Sequence, residues 1–258
     1  MPAPTASSPF PTPPSPPLSQ QPPVPDALSR IGLIVPSSNT TMETEIPELM
    51  RRLAPPGRAL SFHSARVRMK HVQRDELVAM NGRARQAMTE LMDAPIDAVA
   101  YACLVAIMAM GHGHHRVAAD EMTEAAQAAG RYPAVITSAG ALVEGLSAAG
   151  AKRIALVMPY ADELARSVAE YLEAEGLQVA AYENLRVTDN TEVGRIPGEA
   201  VLDALGRLDL AGVDHVVLSA CVQMPSLAIL DAARERTGLP VTSAAECTAK
   251  ALLKAVAA

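Results

Sequence analysis

The sequence predicts an α/β protein built from two pseudo-symmetric, doubly wound lobes with parallel sheets, with the active site in the cleft between them. Two observations support this fold class. Short apolar runs rich in Val and Ile alternate with longer amphipathic stretches, which is the pattern of strands and helices around a parallel sheet. The second half of the chain also repeats the first half in the same order, as a duplicated structural unit does.

The pattern of strands and helices begins just after the Pro-rich start of the chain. RIGLIVP at 30–36 predicts a buried strand, and 40–53 predicts a helix whose early Glu residues stabilise the helix dipole. A helix over 74–94, a strand over 97–104 and a strand over 133–138 follow. Strands that alternate with helices in this way imply a parallel, doubly wound sheet.

Three segments of the second half match three segments of the first. RIGLIVPSSN recurs as RIALVMPYAD, DAVAYACLVAIM as DHVVLSACVQMP, and TSAGALVEGL as TSAAECTAKAL. The second match places Cys103 and Cys221 at equivalent positions, each directly after a predicted strand. Because ligands of open α/β sheets bind beyond the carboxyl ends of the strands, we expect both thiols to face one cleft.

The repeat also predicts the domain organisation. Residues 1–27 contain many prolines, eleven of them within the first 25 residues, which is typical of a disordered, polyproline-like tail. Lobe 1 is expected over 28–138 and lobe 2 over 139–243. The C-terminal helix, 244–258, is predicted to lie outside lobe 2, where it can pack against lobe 1.

The composition excludes several classes of protein. The chain has 258 residues, 49% of them apolar, and a net charge of -6, without the clustered Lys and Arg that nucleic-acid binding requires. The longest apolar stretch, 98–110, is too short to span a bilayer. Three cysteines without metal-type spacing indicate neither a disulfide framework nor a zinc site. No secretory signal is evident. We therefore expect a cytoplasmic protein that needs no metal or other cofactor.

The two matched cysteines suggest acid–base or covalent chemistry. A thiol at a strand end, before a helix N-terminus, meets N–H groups that favour the thiolate. Two such thiols across a cleft can act on opposite faces of one substrate. Core packing is the commoner explanation for a single cysteine, but the matched positions of Cys103 and Cys221 argue against it. Cys247 aligns with Leu142 on a helix and is predicted to lie in the core.

The segments GLIVPSSNTTMETEIP, YACLVAIMAMG and LSACVQMPS resemble the maleate isomerase family of the aspartate/glutamate racemase superfamily, and the similarity runs from Arg30 to the C-terminus. Amino-acid racemases usually carry small polar residues after each cysteine, whereas this chain has Leu104-Val105 and Val222-Gln223. Arylmalonate decarboxylases are similar but keep only the second cysteine. The resemblance thus favours an isomerase, with a racemase or a decarboxylase-like enzyme as alternatives. A two-lobed protein that binds a dicarboxylate without reacting is the alternative from another class.

The resemblance also implies the reaction and the site. Maleate would become fumarate through a covalent succinyl-cysteine intermediate, with Cys103 as the nucleophile and Cys221 as the proton donor and acceptor. A homodimer is implied as well. Backbone N–H groups are expected to bind the two carboxylates as anion nests, and they belong to Leu104, Val105, Val222 and Gln223. The family pattern adds three side-chain donors, which are Asn39, Tyr160 and Asn190; the repeat independently places the first two of these at the cleft.

Three further features have ordinary explanations. Ser37 and Ser38 lie near the first strand end, but Ser before a helix is commonly a cap. GHGHH at 111–115 lacks the helical spacing of metal ligands and is predicted to be a polar loop. ARVRMKH at 65–71 carries four basic groups that can attract a dianion, although a solvated, salt-bridged edge is the preferred interpretation.

Overall fold

Two parallel four-stranded sheets form the framework of the computed structural model, which describes residues 28–257; the predicted Pro-rich tail lies outside these residues. Sheet 1 has the order β2-β1-β3-β4, and its strands are β1 Leu28–Pro36, β2 Ala59–Val67, β3 Ala98–Tyr101 and β4 Ala134–Thr137. Sheet 2 has the equivalent order β6-β5-β7-β8, and its strands are β5 Arg153–Met158, β6 Gln178–Asn184, β7 His215–Ser219 and β8 Val241–Ser243. The predicted fold class is confirmed.

Helices connect the strands in both halves and cover the sheets. The N-terminal half contains α1 Met42–Leu53, α2 Arg74–Leu91, α3 Leu104–Met108, α4 His114–Ala128 and α5 Ser138–Ala148. The C-terminal half contains α6 Asp162–Ala174, α7 Asn190–Val193, α8 Gly198–Gly206, α9 Leu230–Thr237 and α10 Ala244–Ala257, with a 3₁₀ turn at Leu227–Ile229 before α9. None of the helices within 28–257 combines the length and the apolar character that crossing a membrane requires.

The duplication is visible in the contacts as well as in the strand order. The Asp97 carboxylate accepts a hydrogen bond of 2.7 Å from the backbone N–H of Arg30, and Asp214 accepts one of 2.9 Å from Arg153. Each aspartate therefore joins the start of the first strand of its half to the segment before the third strand. This shared contact explains why an aspartate stands at the same place in both repeats, whereas the arginines take part only through their backbone N–H groups.

A strand irregularity compensates for a difference in length between the repeats. Cys221 follows Asp214 by one residue more than Cys103 follows Asp97. The register of β7 against β8 shifts between Val217 and Ser219, so one extra residue is accommodated there as a bulge does. Both cysteines consequently lie two residues beyond the end of an internal strand of their sheet.

The predicted strand over 97–104 is shorter in the structure, because the chain leaves the sheet after Tyr101 and turns into α3 at Leu104. The backbone N–H of Ala102 still bonds to Ile34 in β1. Cys103 precedes α3 with an extended backbone conformation. The thiol is thus held at the junction of strand and helix.

Helix α10 packs against α1 and α5 and also reaches β3 and β4 of sheet 1. Its Cys247 is 5% exposed and lies so close to α5 that a Cβ atom on Gly145 would be 2.8 Å from the sulfur. Glycine at 145 therefore permits the close approach of the two helices. Cys247 occupies the packed interior, as expected of a small hydrophobic side chain. The lobe boundaries themselves stay a prediction.

Candidate active site

A narrow cavity lies between the carboxyl ends of the two sheets. All nine residues that the sequence nominated line it, together with two others that it did not nominate; the full set is Pro36, Asn39, Val72, Cys103, Leu104, Val105, Tyr160, Asn190, Cys221, Val222 and Gln223. The cavity measures about 10 Å³, close to the smallest space that holds one water molecule. Its walls must separate before a small organic acid can enter.

Cys103 lines this cavity and is 7% exposed. Burial and, to a smaller extent, the neighbouring Cys221 raise the pKa of its thiol to about 12, although the N–H groups of Ala106 and Val105 act in the opposite direction. We expected the start of the helix to favour the thiolate, but removal of the sulfur from water outweighs those donors. In the closed cleft the Cys103 thiol is protonated at neutral pH.

Cys221 lies in an irregular turn, 220–226, between β7 and the 3₁₀ turn. The predicted helix N-terminus directly after the cysteine therefore exists only in the N-terminal half. Burial raises the pKa of the Cys221 thiol, while the Tyr160 hydroxyl and the backbone N–H groups of Gln223 and Met224 lower it. The Gln223 N–H lies 3.4 Å from the sulfur. The turn thus supplies donors to Cys221 without a helix.

The backbone donors divide into two pairs. Val105 and Gln223, which we expected to bind substrate carboxylates, direct their N–H groups toward the sulfur atoms of Cys103 and Cys221. Leu104 and Val222 are the other two members of the predicted nests and also line the cavity. A negative charge on either sulfur is therefore stabilised by the protein backbone.

Asn39 carries the clearest indication of a missing hydrogen-bond acceptor. Its Oδ1 accepts hydrogen bonds from the N–H groups of Thr41 at 3.0 Å and Met42 at 2.9 Å, which fixes the orientation of the amide. Its Nδ2 is buried without a partner. An unpaired buried donor is costly, so this amide nitrogen is suited to donate to a carboxylate in the cavity.

Asn190 and Tyr160 complete the polar wall. Asn190 begins α7, and its Nδ2 donates to the Ser38 hydroxyl at 2.9 Å. The Tyr160 hydroxyl donates to the Ala220 carbonyl at 2.9 Å, beside Cys221, and burial raises its pKa well above the ordinary value. Ser38 in turn donates to Met69, so this serine supports Asn190 and is not a helix cap.

Two connecting segments, 68–73 after β2 and 185–189 after β6, meet over the cavity. The Val72 N–H donates to the Thr188 carbonyl at 2.8 Å, and the Asn190 N–H donates to the Lys70 carbonyl at 3.0 Å. Val72 itself lines the cavity and is 4% exposed. Its apolar side chain carries no chemical signal in the sequence, which is why the sequence did not identify it.

The basic segment 65–71 forms part of this cover. Arg66 pairs with Glu43, and His71 pairs with Glu76 at 2.8 Å, as the interpretation of a salt-bridged edge requires. The hydrogen bond from the Lys70 N–H, followed by those from His71, lowers the pKa of Glu76 to about 2. The segment is therefore held in place by its own ion pairs.

The GHGHH segment connects the two halves. His115 Nδ1 contacts the Tyr171 hydroxyl of α6 at 2.5 Å, and Arg116 pairs with Glu175 at 2.8 Å. Burial lowers the pKa of His115. Within 28–257 no group of His, Cys, Asp and Glu side chains is arranged to hold a metal ion. The expected polar loop ends at Gly113, because helix α4 begins at His114 and includes His115 in its first turn.

Comparison with known proteins identifies the family of this chain. A family model described as arylmalonate decarboxylase matches residues 31–258. The maleate isomerase of Nocardia farcinica is 48% identical over 229 residues, which cover 89% of this chain and 90% of that protein. The maleate isomerase of Alcaligenes faecalis is 48% identical over 227 residues, covering 87% and 90%.

Solved structures give the same result. A maleate isomerase variant from Pseudomonas putida S16, crystallised with maleate, has 44% identity and a TM-score of 0.87 over 89% of this chain and 92% of that one. A cysteine-to-serine variant of the Nocardia farcinica maleate cis-trans isomerase, with a covalently bound succinylcysteine intermediate, has 47% identity and a TM-score of 0.87 over 89% and 93%. Arylmalonate decarboxylase, at 20% identity and a TM-score of 0.69, shares the fold. The chain therefore belongs to the maleate isomerase family, within the larger group that the arylmalonate decarboxylase model describes.

Proposed function

We propose that this protein is an isomerase that converts maleate to fumarate through a succinyl-cysteine intermediate on Cys103, without a cofactor. The observation that carries the proposal is the closed cavity lined by Cys103, Cys221 and Asn39, whose buried amide nitrogen has no hydrogen-bond partner. Two thiols and a buried donor suit a small dianion that must be attacked and protonated. The Nocardia farcinica relative, in which a succinylcysteine was seen, supports the same chemistry.

The reaction has to turn a rigid double bond into a single bond for a short time. The Cys103 thiolate adds to one olefinic carbon of maleate, and the π electron pair moves to the other carbon, where the adjacent carboxylate spreads the charge as an enediolate. Cys221 then gives its proton to that carbon. This step forms a C–S bond to Cys103 and a new C–H bond, and it leaves Cys221 as a thiolate.

Rotation about the new single bond brings the two carboxylates to opposite sides. The Cys221 thiolate takes the proton back, and the electron pair of that C–H bond re-forms the double bond. The C–S bond breaks, and its electron pair returns to the sulfur of Cys103. Fumarate leaves, and both cysteines regain their starting protonation states. No external oxidant, reductant or metal enters the balance.

The two thiols work as a pair that holds one negative charge. Cys221 raises the pKa of Cys103, because two like charges at short range cannot both form readily. When one sulfur is ionised, the other is therefore kept protonated. This is the distribution that the addition step requires, with a thiolate at Cys103 and a proton at Cys221.

The carboxylates of the substrate need donors, since an unpaired ion in a closed cleft costs several kcal/mol. Asn39 offers its free Nδ2, and Asn190 and Tyr160 line the same wall. The N–H groups of Leu104 and Val222 lie beside the two cysteines and are assigned to the carboxylates. These contacts bind the diacid in both its cis and trans forms.

We propose three further properties of the protein. The units that separate to admit maleate are lobe 1, residues 28–138, and lobe 2, residues 139–243, with helix 244–258 packed on lobe 1. The protein works as a homodimer, which light scattering of the purified protein tests. It acts in the cytoplasm, where reducing conditions keep its three free thiols reduced.

The decisive experiment is incubation with maleate, followed by a fumarate assay and intact-mass measurement after an acid quench. We expect fumarate to form and a maleate-derived adduct to map to Cys103. Parallel samples with aspartate and glutamate distinguish a racemase, and a malonate substrate distinguishes a decarboxylase. Turnover of those compounds without fumarate formation from maleate would refute the proposal.

A further inference from the structure

Glu45 makes an unusual set of contacts for a residue on helix α1. It is 8% exposed, and its carboxylate accepts hydrogen bonds from the N–H groups of Ser226 and Leu227, both at 2.8 Å. The Ser226 hydroxyl donates to the second carboxylate oxygen at 3.0 Å. One side chain of the N-terminal half thus holds three donors of the C-terminal half, 181 and 182 residues away. None of these atoms lines the active-site cavity.

The three donors lie at the far end of the turn that carries Cys221. This turn, 220–226, contains no helix or strand, so its shape depends on the contacts at its two ends. At the near end the Ser219 hydroxyl bonds to the carbonyls of Cys221 at 2.8 Å and Met224 at 3.0 Å. At the far end Glu45 provides the matching restraint.

We infer that Glu45 is a positioning residue, which fixes the turn 220–226 so that the Cys221 thiol can pass its proton to and from the substrate carbon. The inference rests on the proposed function, in which Cys221 is the proton donor and acceptor. Glu45 touches neither the substrate nor a reacting atom. Its effect passes through the backbone of the turn to the sulfur of Cys221 and to the N–H of Val222.

The chemistry of the contact suits this role. Hydrogen bonds to a carboxylate are stronger and more strictly oriented than those between neutral groups, and two of the three donors belong to consecutive backbone units. Ser226 also lies 3.0 Å from the Ser243 hydroxyl, which accepts a hydrogen bond from the Glu246 N–H at the start of α10. The far end of the turn is therefore tied to both α1 and α10.

The inference predicts which half of the reaction depends on Glu45. Cys103 is held by β3 and α3, and Glu45 makes no hydrogen bond to either element. Loss of the carboxylate should consequently leave attack by Cys103 less affected than proton transfer by Cys221. Water can still protonate the enediolate slowly and complete the succinyl adduct, whereas elimination requires the displaced Cys221 thiolate to remove the proton from carbon, so the adduct persists.

The test compares Glu45→Gln with wild type in steady-state kinetics and in acid-quenched turnover analysed by mass spectrometry. The amide keeps the size of the side chain but replaces one acceptor oxygen with a donor. We expect kcat to fall about 10- to 100-fold, as displacements near 1 Å produce, with a much smaller change in KM. A maleate-derived adduct should accumulate on Cys103 in the variant and not in wild type.

Two additional variants guard against a loss of folding. Ser226→Ala removes the hydroxyl contacts with Glu45 and Ser243 but keeps both backbone donors to the carboxylate. It should show the same adduct at a smaller kcat loss, and it replaces Glu45→Gln as the test if that variant does not fold. Glu246→Gln is the matched control, because Glu246 is a buried helical glutamate, 6% exposed, that bonds to Arg234 and Thr242 instead. It should lower the melting temperature without adduct accumulation.

The outcomes separate this inference from the proposed function. If wild type does not isomerise maleate, the proposed function fails. If wild type is active and Cys221→Ala accumulates the adduct, but folded Glu45→Gln turns over like wild type, only the inference fails. It also fails if the Glu45 variant merely loses stability to the extent that Glu246→Gln does, with no adduct.

Discussion

The side chain of Gln223 donates a hydrogen bond of 2.8 Å from Nε2 to the backbone carbonyl of Asn190. Its Oε1 accepts a hydrogen bond of 3.0 Å from the N–H of Thr40. One buried amide thus joins the Cys221 turn to α7 and to the segment before α1. This contact holds Asn39 and Asn190, the proposed substrate-binding residues, in register with Cys221.

Gln223→Met should therefore weaken both folding and substrate binding. Methionine has a similar length but leaves buried backbone groups without partners, so we expect a loss of about 1 to 3 kcal/mol in the free energy of unfolding. KM for maleate should rise as well. Urea unfolding and steady-state kinetics measure the two effects. Gln127→Met, at an exposed position of α4, is the control, and equal behaviour of the two variants would contradict the assignment.

The three cysteines should differ sharply in their effect on activity. Cys103→Ala removes the nucleophile and should abolish fumarate formation. Cys221→Ala should leave weak activity, because water can act as a poor substitute for the Cys221 proton donor. Water cannot replace the Cys103 thiolate as the nucleophile. Cys247→Ala, outside the cavity, should retain turnover near that of wild type. Full activity in Cys103→Ala would overturn the proposed mechanism.

Asn39→Asp isolates the unpaired donor of the cavity. The aspartate keeps an oxygen for the N–H groups of Thr41 and Met42, so the start of α1 should be preserved. It replaces Nδ2 with an oxygen that repels a dianion. We expect kcat/KM to fall about 100-fold or more, in line with the loss of a preorganised donor, with little change in melting temperature. Unaltered kinetics would show that this nitrogen does not contact the substrate.

The pH dependence of kcat/KM should follow the ionisation of the buried thiols. Burial raises the pKa of Cys103 to about 12 and also raises that of Cys221, so the reactive thiolate is the minor form at neutral pH and grows as pH increases. We expect kcat/KM to rise about tenfold per pH unit from about pH 7 to pH 9, since the rate follows the thiolate fraction. A profile that is already flat over this range would indicate a thiol with a lowered pKa.

The same shifts predict how stability depends on pH. A thiol whose pKa is higher in the folded protein than in the unfolded chain stays protonated while the unfolded chain ionises. Cys103 and Cys247, with pKa values raised to about 12 and about 11, contribute this stability fully below the unfolded value and lose it as pH rises toward those values. The melting temperature should therefore fall above about pH 9. Cys247→Ala should flatten part of that fall.

Gly145→Ala tests the contact between α5 and α10. The added Cβ would lie 2.8 Å from the Cys247 sulfur, and we expect a loss of about 1 to 3 kcal/mol from overpacking. In a Cys247→Ala background the same change should be neutral or stabilising, because alanine favours a helix by about 1 kcal/mol over glycine. If the two substitutions changed the free energy of unfolding additively, residues 145 and 247 would not be in direct contact.

Local patterns in the sequence determined the fold class and the cysteine pair. Strand and helix periodicity depends on neighbouring residues, so it can be recognised in the sequence. The repeat of Arg30 at Arg153 and of Cys103 at Cys221 can be recognised in the same way. The repeat also placed Asn39 and Tyr160 at the cleft. The repeat did not show which thiol is the nucleophile and which is the proton donor; that assignment came from the family resemblance.

Only the tertiary structure decided how the site is supported. Glu45 and Ser226 are 181 residues apart, and Gln223 and Thr40 are 183 residues apart, so no local pattern relates them. Val72 closes the cavity with an apolar side chain that has no distinguishing chemistry. The thiol pKa values follow the same logic: the sequence indicated N–H donors near each sulfur, but the amount of water excluded from the sulfur depends on how the two halves pack together, and that desolvation outweighs the donors.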